Sequence, residues 1–227
     1  LLHIGPVRIH WYGVMYVVGL VFAYLLGSYR LRRAKHPVLS VEQFGDILFY
    51  AAIGLILGGR LGSKLFYNTS AFLEAPWEVF YLWQPGMSFH GALLGVIVML
   101  YWSARRYRIA LLDLGDFIAP LVPIGLFFGR LGNFINGELW GRVTAAPWGM
   151  VFPDAGPLPR WPSQLLEAFL EGVCLFVILQ IAQARSKKRG VVSGLFLATY
   201  GVFRFLVEFV RAPDVQIGFI AFNWLTM

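Results

Sequence analysis

The sequence predicts an all-α integral membrane protein, a polytopic helical bundle, on three observations. The chain is 58% hydrophobic and only 14% charged, where a soluble domain carries about a quarter charged residues; its mean hydropathy is +0.66. Its apolar residues come in long runs with no period-2 alternation, which argues against a membrane β-barrel. Its basic residues gather in short connections after alternate runs, the charge asymmetry of a chain that crosses a membrane repeatedly.

The apolar runs fall at about 11–29, 44–67, 87–104, 114–134, 163–184 and 190–211. Each is long enough to cross the hydrocarbon core as a helix rising about 1.5 Å per residue. That gives six complete spans, and the closing IGFIAFNWLTM reads as the start of a seventh. A single transmembrane domain over 1–227 is expected. The basic connections SYRLRRAKHP (28–37), SARRYRIA (103–110) and ARSKKRG (184–190) follow the first, third and fifth runs. They lie on one side, and the positive-inside rule makes it cytoplasmic. The N-terminus is then outside. The same rule accounts for most of the formal charge of +7, so nucleic acid is not needed as a partner.

The outer connections differ in kind. Residues 68–86, rich in aromatics, read as an interfacial loop at headgroup level. Residues 135–162, rich in Gly, Pro and Trp, read as a small extracytoplasmic head. Gly54, Gly58 and Gly62 recur every fourth residue, the pattern of close helix packing. Cys174, the lone cysteine, sits in an apolar run and reads as core- or lipid-facing. The chain begins without methionine, which suggests a trimmed N-terminus, and no cleavable signal peptide is visible.

Polar residues inside the spans carry the functional argument. With the orientation above, Tyr12, Arg60, Lys64, His90, Arg130, Asn133 and Arg204 all fall at the outer ends or in the outer halves of their spans. Charges at membrane depth are costly and usually face a bundle interior or a water-filled cavity. Arg60 or Lys64 alone could instead snorkel to the headgroups. On the last full span, Tyr200, Arg204, Glu208 and Arg211 are spaced by four, four and three residues, within an arc of roughly 80° on a helix. They form either an internal salt-bridge ladder or an arginine held ready for an anion with Glu208 behind it. GRLGNFINGELWGR (129–142) ends a span in polar groups and glycines. Irregular backbone at such depth is tolerated beside protein or water, so Arg130, Asn133, Asn136 and Glu138 can line a cavity. His90, in SFHGALLG, is either structural or a proton acceptor near neutral pH. No grouping has metal-ligand spacing, and no metal is expected.

These segments together resemble a known family. GRLGNFINGELWGR, HWYGVMY (10–16), GGRLGSKLFYN (59–68), MSFHGALLG (87–95), RWPSQLLEAFLEG (160–172) and YGVFRFLVEFVRAPD (200–214) are similar to segments of bacterial prolipoprotein diacylglyceryl transferases, over nearly the whole chain. Two departures stand out: Ala92 replaces a second glycine after the histidine, and the final span is incomplete at Met227. The resemblance implies transfer of the diacylglyceryl group of phosphatidylglycerol to the lipobox cysteine of a preprolipoprotein, with release of glycerol phosphate. It implies seven helices in the bacterial inner membrane, a periplasmic N-terminus and head, no cofactor, and a site facing the outer leaflet. It implies importance for His90, Arg130, Asn133, Glu138, Gly141, Tyr200 and Arg204, with Tyr12 in support.

The residue chemistry suits that reaction. Arg130 and Arg204 are the expected phosphate-binding pair, with Asn133, Glu138, Gly141, Tyr12, Glu208 and Arg60 as further substrate-binding candidates. His90 is the preferred base for the acceptor thiol and Tyr200 the weaker one. The competing expectation is an anionic-lipid-binding or transport protein that uses the same cationic cavity without chemistry.

Overall fold

The computed structural model describes residues 2–4, 7–9, 11–67, 77, 81 and 86–212. Apart from Trp77, Tyr81 and Gly86, the expected loop 68–86 lies outside the described residues, as does the start of a seventh span.

The helical class is observed, with one small addition. Strands β1 (Leu2–Ile4) and β2 (Val7–Ile9) pair antiparallel, with Leu2 opposite Ile9 and Ile4 opposite Val7. The helices are α1 (Trp11–Arg33), α2 (Val41–Tyr67), α3 (Phe89–Arg106), α4 (Leu111–Ile118), α5 (Val122–Asn136), α6 (Ser163–Glu167), α7 (Leu175–Arg185) and α8 (Val191–Glu208). Five stretches among the described residues are long and apolar enough to cross a membrane: Gly13–Arg33, Val41–Leu65, Leu111–Asn136, Ser163–Arg185 and Val191–Glu208. The expected third span does form a helix, α3. Its 18 residues include His90, Arg105 and Arg106, and it is not among the five.

The chain divides into two compact units, residues 27–114 and residues 1–26 with 115–227. In the first, Ser40 and Gln43 start α2 with reciprocal bonds: Ser40 N–H donates to Gln43 Oε1 at 2.9 Å and Gln43 N–H to Ser40 Oγ at 3.2 Å. This satisfies two of the donors that a helix start leaves open. Helices α2 and α3 pack along glycines. A methyl on Gly54 would meet Gly95 O at 2.5 Å, and one on Gly62 would meet Gly91 Cα at 2.7 Å. The two backbones nearly touch, as small-residue stripes allow. Ser88 secures the join: its N–H donates to Gly59 O at 2.9 Å, and its Oγ accepts from Gly91 N–H at 3.2 Å.

In the second unit, α4 and α5 are joined by a 3₁₀ turn, Ala119–Leu121, that contains Pro120 and is followed by Pro123. Proline has no N–H and interrupts the helical ladder. Gln183 Nε2 donates to Asp116 O at 3.5 Å and Gln180 Nε2 to Pro120 O at 3.4 Å. Helices α6 and α7 are likewise continuous through a π-helical stretch, Ala168–Cys174. Gly172 brings this stretch against α5, where a methyl would lie 2.7 Å from Phe127 Cβ. Ala119, Leu175, Leu179 and Val192 form the buried core, with Leu126, Leu195, Phe196, Tyr200 and Phe203 packed against it.

Candidate active site

Arg130 lies two turns before the end of α5, which stops at Gly137 for a backbone reason. Gly137 adopts φ +69°, the left-handed conformation that closes many helices and suits glycine. Its N–H donates to Phe134 O at 3.0 Å, and Glu138 N–H to Asn133 O at 3.0 Å. The cap turns Glu138 back on the helix: its Oε1 accepts from Asn133 Nδ2 at 2.9 Å and from Asn136 Nδ2 at 3.3 Å. Gln164 Nε2 donates to Glu138 O at 2.6 Å, and Ser163 Oγ to Leu139 O at 3.0 Å. The start of α6 is thereby tied to the end of α5.

That tie brings two carboxylates to Arg130. Its Nε lies 2.6 Å from Glu167 Oε2 and its Nη2 lies 3.6 Å from Glu171 Oε2. Glu167 and Glu171 are fully buried. They stand four residues apart, so they share a helix face, and the π-helical stretch begins right after Glu167. Such stretches are frequent at functional sites. Arg130 keeps 18% of its side chain exposed, and its Nη1 has no partner among the described residues. Glu167 also reaches a second arginine, with its Oε1 3.5 Å from Arg211 Nη1. Burial draws the Arg211 guanidinium below its ordinary pKa, and the Glu167 carboxylate opposes that shift.

Helix α8 contributes Arg204, whose Nη1 lies 3.0 Å from the buried Glu208 Oε2. Arg142 Nε donates to Arg211 O at 2.7 Å, and its Nη2 to Glu208 O at 3.4 Å. Gly141 N–H donates to Trp161 O at 2.8 Å and Arg142 N–H to Val210 O at 2.8 Å. Gly141 sits so tightly here that a methyl would come 2.5 Å from Val210 O and 2.7 Å from Trp161 Cβ. Tyr200, one turn before Arg204, stacks on Phe196 with ring centroids 5.9 Å apart. Tyr16 of α1 puts its hydroxyl beside Gly129, 3.6 Å from where a Cβ would stand.

The second unit thus gathers Arg130, Asn133, Glu138, Gly141, Tyr200, Arg204 and Glu208 of the expected residues. Tyr12 belongs to α1, but its side chain lies outside the described part. His90 and Arg60 belong to the other unit. His90 opens α3 with an exposed side chain whose ring meets Phe89, centroids 5.7 Å apart. Arg60 is buried and donates to Gly86 O at 2.9 Å and to Tyr81 O at 2.6 Å. Glu208 does pair with Arg204, as its spacing suggested, while Arg211 engages Glu167 on another helix.

Glu167 and Glu171 are the site residues that the sequence reading passed over. The signal was present in QLLEAFLEG (164–172): two carboxylates in an apolar helix are as costly as the arginines and need partners. Among the described residues, no group of three or more His, Cys, Asp or Glu could hold a metal ion.

A cationic cluster with paired carboxylates and one open guanidinium edge can bind and stabilise an anion, which narrows the chemistry to anionic substrates. Comparison with known proteins identifies the family. Residues 1–227 match the family model described as "Prolipoprotein diacylglyceryl transferase". The chain is similar to the phosphatidylglycerol--prolipoprotein diacylglyceryl transferase of Methylococcus capsulatus, 56% identical over 223 residues, covering 98% of this chain and 85% of that protein. It is equally similar to the same enzyme of Coxiella burnetii, at 56% over the same coverage. The Pseudomonas aeruginosa enzyme is 54% identical over 226 residues, covering 100% of this chain and 85% of its own length. With a match that runs from the first residue to the last, the chain belongs to the prolipoprotein diacylglyceryl transferase family.

Proposed function

We infer that this chain is a transferase that moves the diacylglyceryl group of phosphatidylglycerol onto a prolipoprotein. The observation that carries the reading is the family match over residues 1–227; the arginine–glutamate cluster is the chemistry that agrees with it. The acceptor is the cysteine thiol of a lipobox peptide. Its sulfur forms a bond to the glyceryl carbon that carries the phosphate, the carbon–oxygen bond to phosphate breaks, and glycerol phosphate leaves with the bonding electrons. The thiol proton passes to a base. The phosphodiester begins with one negative charge, and the leaving phosphate gains another, so donors aimed at it favour the transition state over the ground state.

Arg130 and Arg204 hold that phosphate. Support for Arg130 is its open Nη1 beside Nε and Nη2 ion-paired with Glu167 and Glu171; support for Arg204 is its ion pair with Glu208 at 3.0 Å with part of its side chain still exposed. Asn133, Glu138 and Gly141 shape the wall of the site, with Tyr12 in support, and Glu208 acts through Arg204. Arg60, already engaged by two carbonyls, serves the site by ordering the chain near Gly86. His90 takes the thiol proton, since a neutral imidazole offers a nitrogen lone pair to accept it. Tyr200 is the weaker candidate, because a phenol ordinarily loses its proton only near pH 10. The site faces the periplasmic leaflet of the bacterial inner membrane, and the head over 135–162 lies on that side. The reaction as written uses no cofactor, and membrane lipids surround both substrates.

Incubation with phosphatidylglycerol and a lipobox peptide, with a chelator present, tests the reading by mass spectrometry. One diacylglyceryl group added to the peptide cysteine, with glycerol phosphate released, is expected. An unmodified peptide, with phosphatidylglycerol still bound by the protein, would overturn it in favour of lipid binding without chemistry.

A further inference from the structure

Glu167 is used by none of the reaction steps above, yet it lies between two arginines of the cluster. One oxygen lies 2.6 Å from Arg130 Nε and the other 3.5 Å from Arg211 Nη1. Its side chain is 1% exposed. A carboxylate so placed is inaccessible to an entering lipid headgroup. It acts on the substrate through the arginines or not at all.

The geometry also limits how it acts. Guanidinium is planar, with donors in a fixed fork. Arg130 Nε lies 2.6 Å from Glu167 and Nη2 lies 3.6 Å from Glu171, so the two ion pairs draw one side of the guanidinium toward buried carboxylates. Nη1 is then the edge left for an anion. Glu167 is presented by a backbone that several contacts hold in place. Gln164, three residues earlier, bonds Glu138 O at 2.6 Å, and Gly172, five residues later, lies against Phe127 of the arginine's own helix. An arginine in an apolar span without such anchors would have many rotamers and would order only on binding, which costs affinity.

We propose that Glu167 is a positioning residue for phosphate recognition: it fixes the plane of the Arg130 guanidinium, and holds Arg211 beside it, so that Nη1 of Arg130 faces the donor's phosphate. The proposal rests on the transferase reading for its substrate, though a phosphate of any anionic lipid would be held by the same edge.

The test is a double-mutant cycle between Arg130 and Glu167, read by binding as well as turnover. The dissociation constant for phosphatidylglycerol in phosphatidylcholine bicelles is measured for the parent chain, E167Q, R130K and the pair. If Glu167 acts through Arg130, E167Q alone weakens binding about tenfold, as loss of one buried ion-pair partner would, and adds little once Arg130 is lysine. A structural role would instead weaken binding by the same factor in both backgrounds, and that result overturns the proposal. So does parent-like binding by E167Q. Because E167Q leaves buried arginines short of a counter-charge, Glu167→Asp is measured in parallel. It keeps the charge and shortens the reach, and on this proposal it too couples to R130K rather than adding to it. An additive E167D overturns the proposal even if E167Q does not fold. Turnover with a lipobox peptide separates the two readings. A parent chain that binds phosphatidylglycerol but transfers nothing defeats the transferase reading, while the binding cycle still decides the role of Glu167.

Discussion

Asp116 Oδ1 receives both the backbone N–H of Ser193 at 2.8 Å and its hydroxyl at 2.6 Å, while Oδ2 receives Gly190 N–H at 2.6 Å. A carboxylate from α4 thereby caps α8, whose own cap position is Gly190 at φ +81° and has no side chain to serve. The negative charge also suits the positive end of a helix. Asp116→Ala should lower stability by about 1–2 kcal/mol, as loss of a cap does. Asp116→Asn should cost less. Thermal unfolding in one detergent measures both, and an unchanged midpoint for the alanine variant would remove the cap from the account.

The glycine seam between α2 and α3 predicts sharp position dependence. Gly58→Ala drives a methyl into the Gly91 carbonyl oxygen, backbone that cannot step aside. A cost of about 1–3 kcal/mol is expected, as for other overpacked sites. Gly125→Ala on α5 meets nothing within 4 Å and should be neutral or slightly stabilising. Equal midpoints for the two variants would contradict the seam.

Gly137 separates conformation from space. No atom lies within 4 Å of where its Cβ would be, yet φ is +69°. Gly137→Ala should cost about 1–2 kcal/mol for that conformation alone and reduce transfer by loosening Glu138. Gly137→Asn should be milder, because asparagine tolerates the left-handed region. If asparagine proves as harmful as alanine in melting and activity assays, backbone conformation is not the cause.

Arg130→Lys and Arg204→Lys keep the charge and lose the planar fork. Each should cut kcat/KM for phosphatidylglycerol about a hundredfold, the scale of losing one donor to a developing anion. Full activity in both would sink the phosphate pairing. His90→Gln should cut the rate of transfer to a lipobox peptide, and a variant with parental kcat/KM would exclude His90 as base.

Tyr107 gives a pH signature outside the site. Its hydroxyl donates to Asp46 Oδ2 at 2.7 Å, and that bond, followed by desolvation, raises its pKa. The raised value favours the protonated phenol in the folded state. Its contribution is therefore present at neutral pH and is lost as pH climbs from the ordinary phenol value, about 10, through the raised one. Stability measured from neutral pH into that alkaline range should fall less steeply for Tyr107→Phe, and identical slopes would contradict the bond's role.

The helices were legible because apolar runs and basic connections are local signals. The runs near 44–67 and 163–184 correspond closely to Val41–Tyr67 and Ser163–Arg185. Arg130, Arg204 and Glu208 stood out because a charge in an apolar run demands an explanation wherever it occurs. Their partners were harder. That Arg211 would reach Glu167 rather than only its own helix depends on the approach of two helices, which spacing along one of them cannot reveal. The π-helical stretch after Glu167 was also hidden, since its residues AFLEGVC read as ordinary helix. The hairpin Leu2–Ile4 with Val7–Ile9 lies in a segment too short for periodicity to register.

The two prolines that divide the span Leu111–Asn136 leave carbonyls that its own backbone cannot serve, and hydrocarbon offers no donor. Gln180 and Gln183 darn that gap from a neighbouring helix. A hydropathy scale would rate leucine the better residue at either place. In this fold it would strip a thread from the mend, so each glutamine is worth more to the neighbouring helix than to its own.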